Sequence, residues 1–391
     1  MELYYTIFSL VLVSCIFEVC KDKTKNKILI LWGIFFTLFG GLRWQTGGDW
    51  YQYHDHFLTS EWNNIFNYDR YGNGLETLEP GFVFINALVK FVLGKFYWYN
   101  ILLCGFIQYT SIKVSKYYAP ERPIMMYTFL MLMSGHYFPV RASFAITIVW
   151  WTYKMIKERN LKAFLLLVFI AFNIHHAALV ILPAYWLGKI RLKPVFVVAV
   201  FLALMAVGSY FQDTFTLLSM YVGGDLGEKA LGYTENQTEG YLVERGYLIG
   251  NAIALFLLIA YLKVRDLKIE DERWMNTLIN CFVLYYGIAF MFREGMGDLT
   301  RLASYYFLPN AILFMYSLKY LEFYGKIFKL ASTMFFVFYM AYQVSKSCSG
   351  YYFKEANVPY KTIFDYQYIR CLYNPDSRKP APDNLLGSRL I

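Results

Sequence analysis

The chain has 391 residues, of which 58% are hydrophobic and only 17% carry a charged side chain. Soluble domains carry about 25% charged residues, so the composition excludes an ordinary soluble protein and predicts a chain surrounded by membrane lipid. The net charge of +9 would suit a nucleic-acid-binding protein, but basic cytoplasmic loops explain it more simply. We therefore expect no nucleic-acid partner. The six cysteines lack CxxC spacing, which argues against a metal cluster.

Apolar runs of membrane-spanning length recur along the whole chain. They predict an all-α, polytopic integral membrane protein with about 11–13 transmembrane helices. Barrel strands would instead alternate over about ten residues. The predicted spans are 1–20, 28–40, 97–112, 124–137, 140–155, 163–173, 177–187, 195–210, 247–262, 274–292, 302–318 and 327–344.

Three predicted segments depart from a plain span. Residues 80–94 precede a true span and are expected to form a surface-lying or re-entrant helix. The two segments that flank His175 and His176 are short for a core of about 30 Å, which predicts broken or tilted helices. We predict one transmembrane domain over 1–345, with large outer loops at 43–79 and 211–246. The tail, 346–391, is expected to be extracytoplasmic, where Cys348 and Cys371 could pair.

Lysine-rich loops predict the orientation, because basic residues in short loops mark the cytoplasmic side. The loop 21–27 is the clearest of these. It predicts that the N-terminus and the loop 43–79 lie outside. The same alternation brings all five histidines to the outer face. It also brings there the following charged residues: Arg43, Asp49, Glu79, Arg141, Arg293 and Arg301.

The stretch 41–56 is the first candidate site. It follows an apolar run and combines Arg43, Asp49 and several aromatic side chains around Gly47-Gly48. Asp49 is placed to orient or deprotonate a hydroxyl, and Tyr53 can stack on a sugar. An interfacial aromatic belt is the alternative interpretation.

Further candidates follow at the outer ends of the predicted helices. Glu79 precedes Pro80 and is interpreted either as a helix cap or as a second carboxylate. Arg141 begins a helix, where a cation gains nothing from the helix dipole, so an anionic partner such as phosphate is expected. His175 or His176 could act as a base or bind phosphate. Snorkelling and simple ion pairing remain open for the arginines.

Five short motifs occur in a fixed order over residues 40–306: Arg43-x3-Gly47-x-Asp49-x3-Tyr53, Glu79-Pro80-Gly81-Phe82, Arg141-x3-Ala145, Ile174-His175-His176-Ala177-Ala178 and Arg301-x3-Tyr305. Together they resemble the EpsG/Wzy-type polysaccharide polymerases. Ala142, Ile174 and Ala177 depart from the residues usual in that family, which hints at different sugar recognition.

The resemblance implies a membrane glycosyltransferase-like polymerase of GT-C-related architecture in the bacterial inner (cytoplasmic) membrane, with its active site facing outward. Such an enzyme joins oligosaccharide repeat units, donor and acceptor both carried on undecaprenyl diphosphate, without metal or cofactor. A chain-length regulator and a flippase of the same pathway are expected partners. The alternatives are another lipid-linked sugar transferase, such as an O-antigen ligase-type enzyme, and a non-enzymatic polysaccharide transporter.

The resemblance also implies roles for individual residues. Catalysis is expected from Asp49 as the first choice of base and His175 as the second, and from Arg141 and Arg301, which would neutralise the leaving diphosphate. Substrate binding is expected from Arg43, Tyr53, Glu79, His176, Arg293 and Tyr305.

Overall fold

The chain is described by a computed structural model that covers residues 1–20, 24–47, 49–69, 78–134, 138, 140–207, 244–268, 270–292, 301–322, 325–349, 353–354 and 357–365. These residues fold mainly as helices and form no strand, which confirms the all-helical prediction. His136, Arg293, Cys371 and residues 211–243 of the second predicted outer loop lie outside the described residues. The predicted disulfide therefore remains a prediction.

The described α-helices are α1 (Glu2–Cys20), α2 (Lys25–Gly41), α3 (Trp50–Thr59), α4 (Pro80–Leu93), α5 (Phe96–Tyr118), α6 (Pro123–Ser134), α7 (Arg141–Lys157), α8 (Leu161–Ile174), α9 (Ala184–Leu187), α10 (Pro194–Val207), α11 (Glu244–Asp266), α12 (Glu272–Met291), α13 (Phe307–Glu322) and α14 (Lys326–Ser349). Short 3-10 helices occur at Trp62–Asn64, His176–Ile181 and Arg301–Tyr306.

Two of the predicted spans are broken. The segment predicted at 177–187 consists of a 3-10 helix followed by α9, with Pro183 at the junction. The segment predicted at 302–318 changes from a 3-10 helix to α13 just before Pro309. Proline has no N–H to donate within a helix and clashes with the preceding turn, so each proline lies where the regular α-helix begins.

Several described helices carry the apolar character of a membrane protein. By length and composition, Glu272–Met291 and Ile327–Ser349 can each cross a bilayer, and α4 with α5 would make a third span, bent by 120°. The remaining spans of the predicted 11–13 stay a prediction. Large apolar side chains remain exposed on outward helix faces, where a soluble protein would leave only small patches; they include Leu31, Ile34, Leu166, Phe169, Val195, Phe256 and Phe338.

Helix α6 is the central helix of the bundle. Every residue from Pro123 to Leu132 is buried. Burial leaves the N–H groups of its first turn without water, and they need an acceptor from elsewhere in the chain. Glu18 of α1 supplies it, because its carboxylate oxygens accept hydrogen bonds from the N–H groups of Ile124 (2.7 Å) and Met125 (2.9 Å).

Polar contacts collect at two opposite ends of the bundle. Helix α7 connects the ends, since it starts at Arg141 and finishes at Lys157. Around its end, the loops predicted to be cytoplasmic meet in ion pairs: Lys157–Glu270, Arg159–Asp271, Arg191–Glu272 and, between α13 and the connection of α5 to α6, Lys319–Glu121. Around its start lie the residues of the candidate site.

Candidate active site

A buried carboxylate, that of Glu79, lies at the centre of the site. Its Oε2 is 2.6 Å from Nη1 of Arg141. Its Oε1 lies 3.1 Å from Nδ1 of His175 and accepts the backbone N–H of His176 at 3.0 Å. The side chain of Glu79 is only 5% exposed and that of Arg141 11%, so the pair is shielded from bulk water. Three of the predicted motifs thus meet at one carboxylate.

The local backbone explains how the histidines reach Glu79. Helix α8 ends at Ile174, and His175 adopts an extended conformation. His176 then starts a 3-10 helix, and its N–H points out of that helix towards Glu79. The first N–H groups of a helix lack intrahelical partners and readily bind an anion.

Glu79 was predicted either to cap its own helix or to act as a second carboxylate, and the capping prediction is wrong. Glu79 occupies the N-cap position of α4, but its side chain makes no capping hydrogen bond. The carboxylate turns instead to Arg141 and His175, because a buried hydrogen bond to a charged guanidinium is stronger than one to a neutral backbone N–H. The side chain of Glu79 therefore contacts residues at the ends of neighbouring helices and not the first turn of its own helix, α4.

The surroundings of Glu79 favour its ionised form. Burial alone would raise its pKa, but the hydrogen bond from His175, the charge of Arg141 and the N–H of His176 outweigh burial and lower the pKa to about 2. An ionised carboxylate can only accept hydrogen bonds. Nδ1 of His175 must therefore donate, which leaves Nε2 of a neutral His175 as a proton acceptor.

Aromatic rings connect Arg141 to the first motif. The guanidinium of Arg141 lies 5.8 Å from the ring centre of Phe82, and the ring of Tyr53 on α3 lies 6.0 Å from the same ring. Tyr99 also contacts this group, with its ring centre 6.4 Å from that of Phe82. Phe82 and Tyr99 thus bring Tyr53 and Glu79 into one group of contacting side chains. The sequence predicted no individual role for Phe82 or Tyr99.

Arg43 belongs to the second part of the candidate site. It is buried, with 3% of its surface exposed, and its guanidinium lies 5.0 Å from the ring centre of Phe138. Tyr53 and Asp49 both interact with it electrostatically. Gly47 has a φ of +99°, and a Cβ there would lie 2.7 Å from Nη1 of Arg43, so a glycine is required for this approach. Asp49 itself is exposed at the start of α3.

Tyr305 contributes a buried hydroxyl. The residue is 2% exposed and interacts electrostatically with Glu79 and Arg141. Within the described part of the chain, neither its hydroxyl nor Nε of Arg141 has a hydrogen-bond partner. Buried polar groups are almost always paired, so these two unpaired donors are candidates for binding an acceptor that comes from outside the chain.

Two further predicted residues lie at the edge of this group. Arg301 is exposed at the start of its 3-10 helix, one turn before Tyr305. The ring of His176 packs on Phe172, with ring centres 4.7 Å apart, so His176 reaches Glu79 through its backbone alone. Among the described residues, no three histidine, cysteine or carboxylate side chains converge as metal ligands do.

The comparison with known protein families decides which family these motifs belong to. A family model described as the EpsG family matches residues 27–362. The chain belongs to the EpsG family. Membership confirms the resemblance and indicates a polysaccharide polymerase-type membrane protein with glycosyltransferase-like activity. No curated protein and no solved structure matches the chain. In this EpsG-family protein the matched region includes all the residues that surround Glu79 and extends well beyond the last motif.

Gly81 permits the contact that joins α4 to α8, and its replacement is a direct test of that contact. A Cβ at position 81 would lie 2.8 Å from the carbonyl oxygen of Asn173. Because that atom belongs to the backbone, Gly81→Ala must push α4 away from α8 and stretch the Glu79–His175 bond. We expect about a 100-fold loss of turnover, typical of a misplacement of about 1 Å. Gly105→Ala is the control, since its Cβ would meet only a methyl group, at 3.7 Å. Equal activity of the two variants would contradict the prediction.

Proposed function

We propose that the chain is a polysaccharide polymerase that joins oligosaccharide repeat units, donor and acceptor both carried on undecaprenyl diphosphate. The observation that supports this most strongly is the contact of one buried carboxylate with both an arginine and a histidine. Such an arrangement holds an anion-binding group and a proton acceptor side by side. Glycosyl transfer from a lipid diphosphate needs both, because a hydroxyl must lose a proton while a diphosphate leaves.

In the proposed reaction, Nε2 of His175 takes the proton of the acceptor hydroxyl. The hydroxyl oxygen then attacks the anomeric carbon of the donor. The bond between that carbon and the diphosphate oxygen breaks, and the lipid diphosphate leaves with the bonding electrons. Glu79 orients the imidazole and stabilises its protonated form, as the carboxylate of a catalytic triad does.

The leaving diphosphate would bind where donors are left unpaired. Arg141 offers Nε, and Tyr305 offers its hydroxyl. Phosphate oxygens accept several hydrogen bonds at once and suit the planar guanidinium. Arg43, Arg301 and Arg293 are proposed to bind the remaining phosphate oxygens, so that arginines neutralise the developing charge without a metal ion. Asp49, exposed beside Arg43, is the alternative base.

We assign the site to the outer face of the bacterial inner membrane. The lysine-bearing loops gather at the opposite end of the bundle, and such loops mark the cytoplasmic side. We further propose a GT-C-like, multi-pass architecture in which α4 lies along the outer surface. A flippase and a chain-length regulator would supply lipid-linked units and limit the product.

The function can be tested with purified protein in detergent, an undecaprenyl-diphosphate-linked repeat unit and EDTA, without nucleotide sugar. We expect a ladder of products on a gel that disappears in Arg141→Ala. Lipid movement in vesicles without a ladder would refute the enzyme and favour a transporter. Transfer to lipid A core or to a lone sugar, without a ladder, would instead identify a ligase-type or single-sugar transferase.

A further inference from the structure

The segment 357–365, here called the C-terminal strap, returns to the beginning of the chain. The hydroxyl of Tyr4 donates to the carbonyl oxygen of Asn357 at 2.8 Å. Tyr360 donates its hydroxyl to the carbonyl of Phe39 and stacks on that ring, with 4.5 Å between centres. The strap therefore crosses the ends of α1 and α2 at the side of the bundle where Arg43 lies.

The strap pairs with the backbone on both sides of Arg43. The N–H of Trp44 donates to the carbonyl of Lys361 at 2.8 Å, and the N–H of Ile363 donates to the carbonyl of Leu42 at 3.0 Å. These two bonds flank an antiparallel bridge between Arg43 and Thr362. A third bond runs from the N–H of Lys361 to Oγ1 of Thr46 at 3.0 Å. A short antiparallel pairing of this kind sets the backbone direction of the residue it encloses.

The strap also supports the side chain of Arg43. The rings of Phe39, Phe138 and Tyr360 are stacked on one another, with centres 4.5 to 6.4 Å apart. The guanidinium of Arg43 lies against Phe138, an arrangement that attracts a cation to an aromatic face. Tyr360 interacts electrostatically with Arg43 as well. Without the strap, this stack would lose one of its three rings.

We propose that the C-terminal strap is a positioning element that holds Arg43 at the diphosphate of the lipid-linked donor. The proposal rests on the proposed function for the identity of that ligand. The strap residues themselves do not touch the substrate in this proposal; they act through the loop 42–46. The C-terminal strap would thereby affect the affinity for the donor at a site whose other residues lie between positions 43 and 305.

Lys361→Pro is the first test, because it removes the N–H that donates to Thr46 and changes no residue of the helix bundle. Phe364→Ala is the matched control, since Phe364 is in the same strap and 62% exposed. We expect Lys361→Pro to raise the KM for the lipid-linked donor roughly 10- to 100-fold, because a displaced Arg43 would lose a charge-assisted hydrogen bond to the diphosphate, with a smaller change in kcat. Thr46→Val should act in the same direction if Lys361→Pro fails to fold, and Thr46→Ser should restore the wild-type KM.

Hydrogen exchange separates this proposal from the polymerase assignment. In Lys361→Pro or Thr46→Val, amides of 42–47 should exchange at least about 10-fold faster, while those of α6 stay protected. A wild-type protein without a product ladder would refute the polymerase but leave this exchange result standing. Unchanged exchange at 42–47 would overturn the strap's hold on the loop. Faster exchange with an unchanged donor KM would overturn the positioning of Arg43.

Discussion

Replacing His175 with alanine is expected to lower kcat for chain extension by about 100- to 10,000-fold, the usual contribution of a general base. The side chain of His175 is held by Glu79 through Nδ1, so its other nitrogen faces away from the carboxylate. Removing the imidazole leaves the acceptor hydroxyl without that base, while Arg141 and Glu79 keep their contact. The measurement is the rate of product formation with saturating donor, and added imidazole should restore part of it.

His176→Ala is the control for that prediction. It removes the same type of side chain one residue later, but retains the backbone N–H that Glu79 accepts. We expect a loss of less than about 10-fold, because the ring packs on Phe172 rather than on Glu79. A strong loss in Asp49→Ala with near-normal rates in His175→Ala would reassign the base to Asp49.

Replacing Glu79 with glutamine is expected to abolish activity and to lower the free energy of unfolding by about 3–5 kcal/mol. Removing the charge of one partner of a buried ion pair leaves the other charge uncompensated. Here the uncompensated charge is that of Arg141. The measurement is thermal or denaturant unfolding in detergent. Glu121→Gln is the control, because its pair with Lys319 is more than half exposed and should cost only about 0–1 kcal/mol.

A double variant separates stability from chemistry at Glu79. Glu79→Gln combined with Arg141→Met removes both charges, and should regain most of the lost stability because the buried arginine is no longer unpaired. Activity should stay lost, since neither the anion-binding group nor the orienting carboxylate is present. Recovery of activity in the double variant would contradict the proposed roles of both residues.

The same carboxylate predicts a pH dependence of stability. Its pKa is lowered from an ordinary value of 4.5 to about 2. A lowered pKa means that the stabilising contribution is fully present above the ordinary value and is lost as the pH falls towards 2. The wild type should therefore lose more stability than Glu79→Gln between about pH 5 and pH 2. Parallel stability profiles of the two proteins would show that Glu79 contributes nothing to the pH dependence of stability in this range.

Local sequence patterns predicted most helix positions well. The predicted span 140–155 is α7, Arg141–Lys157, and the predicted separation of 80–94 from 97–112 is the boundary between α4 and α5. Such segments are recognisable because apolar runs and helix-starting prolines determine the helix position through residues that are close in the sequence. The short length of 177–187 predicted a broken or tilted segment there, but the change of helix type near Pro309 was not predicted, because a proline in a long apolar run marks either a helix start or an interruption.

The sequence by itself determined that the chain is an all-helical membrane protein of the EpsG type, and that Glu79, Arg141 and His175 are among its candidate site residues. Only the tertiary structure decided how they act together. The Glu79–Arg141 and Glu79–His175 contacts join residues 62 and 96 positions apart, and the strap joins Lys361 to Thr46 across 315 positions. A buried carboxylate binds the strongest hydrogen-bond donor close to it. Which donors are close depends on how the helix ends pack, and not on the residues adjacent to the carboxylate in the sequence.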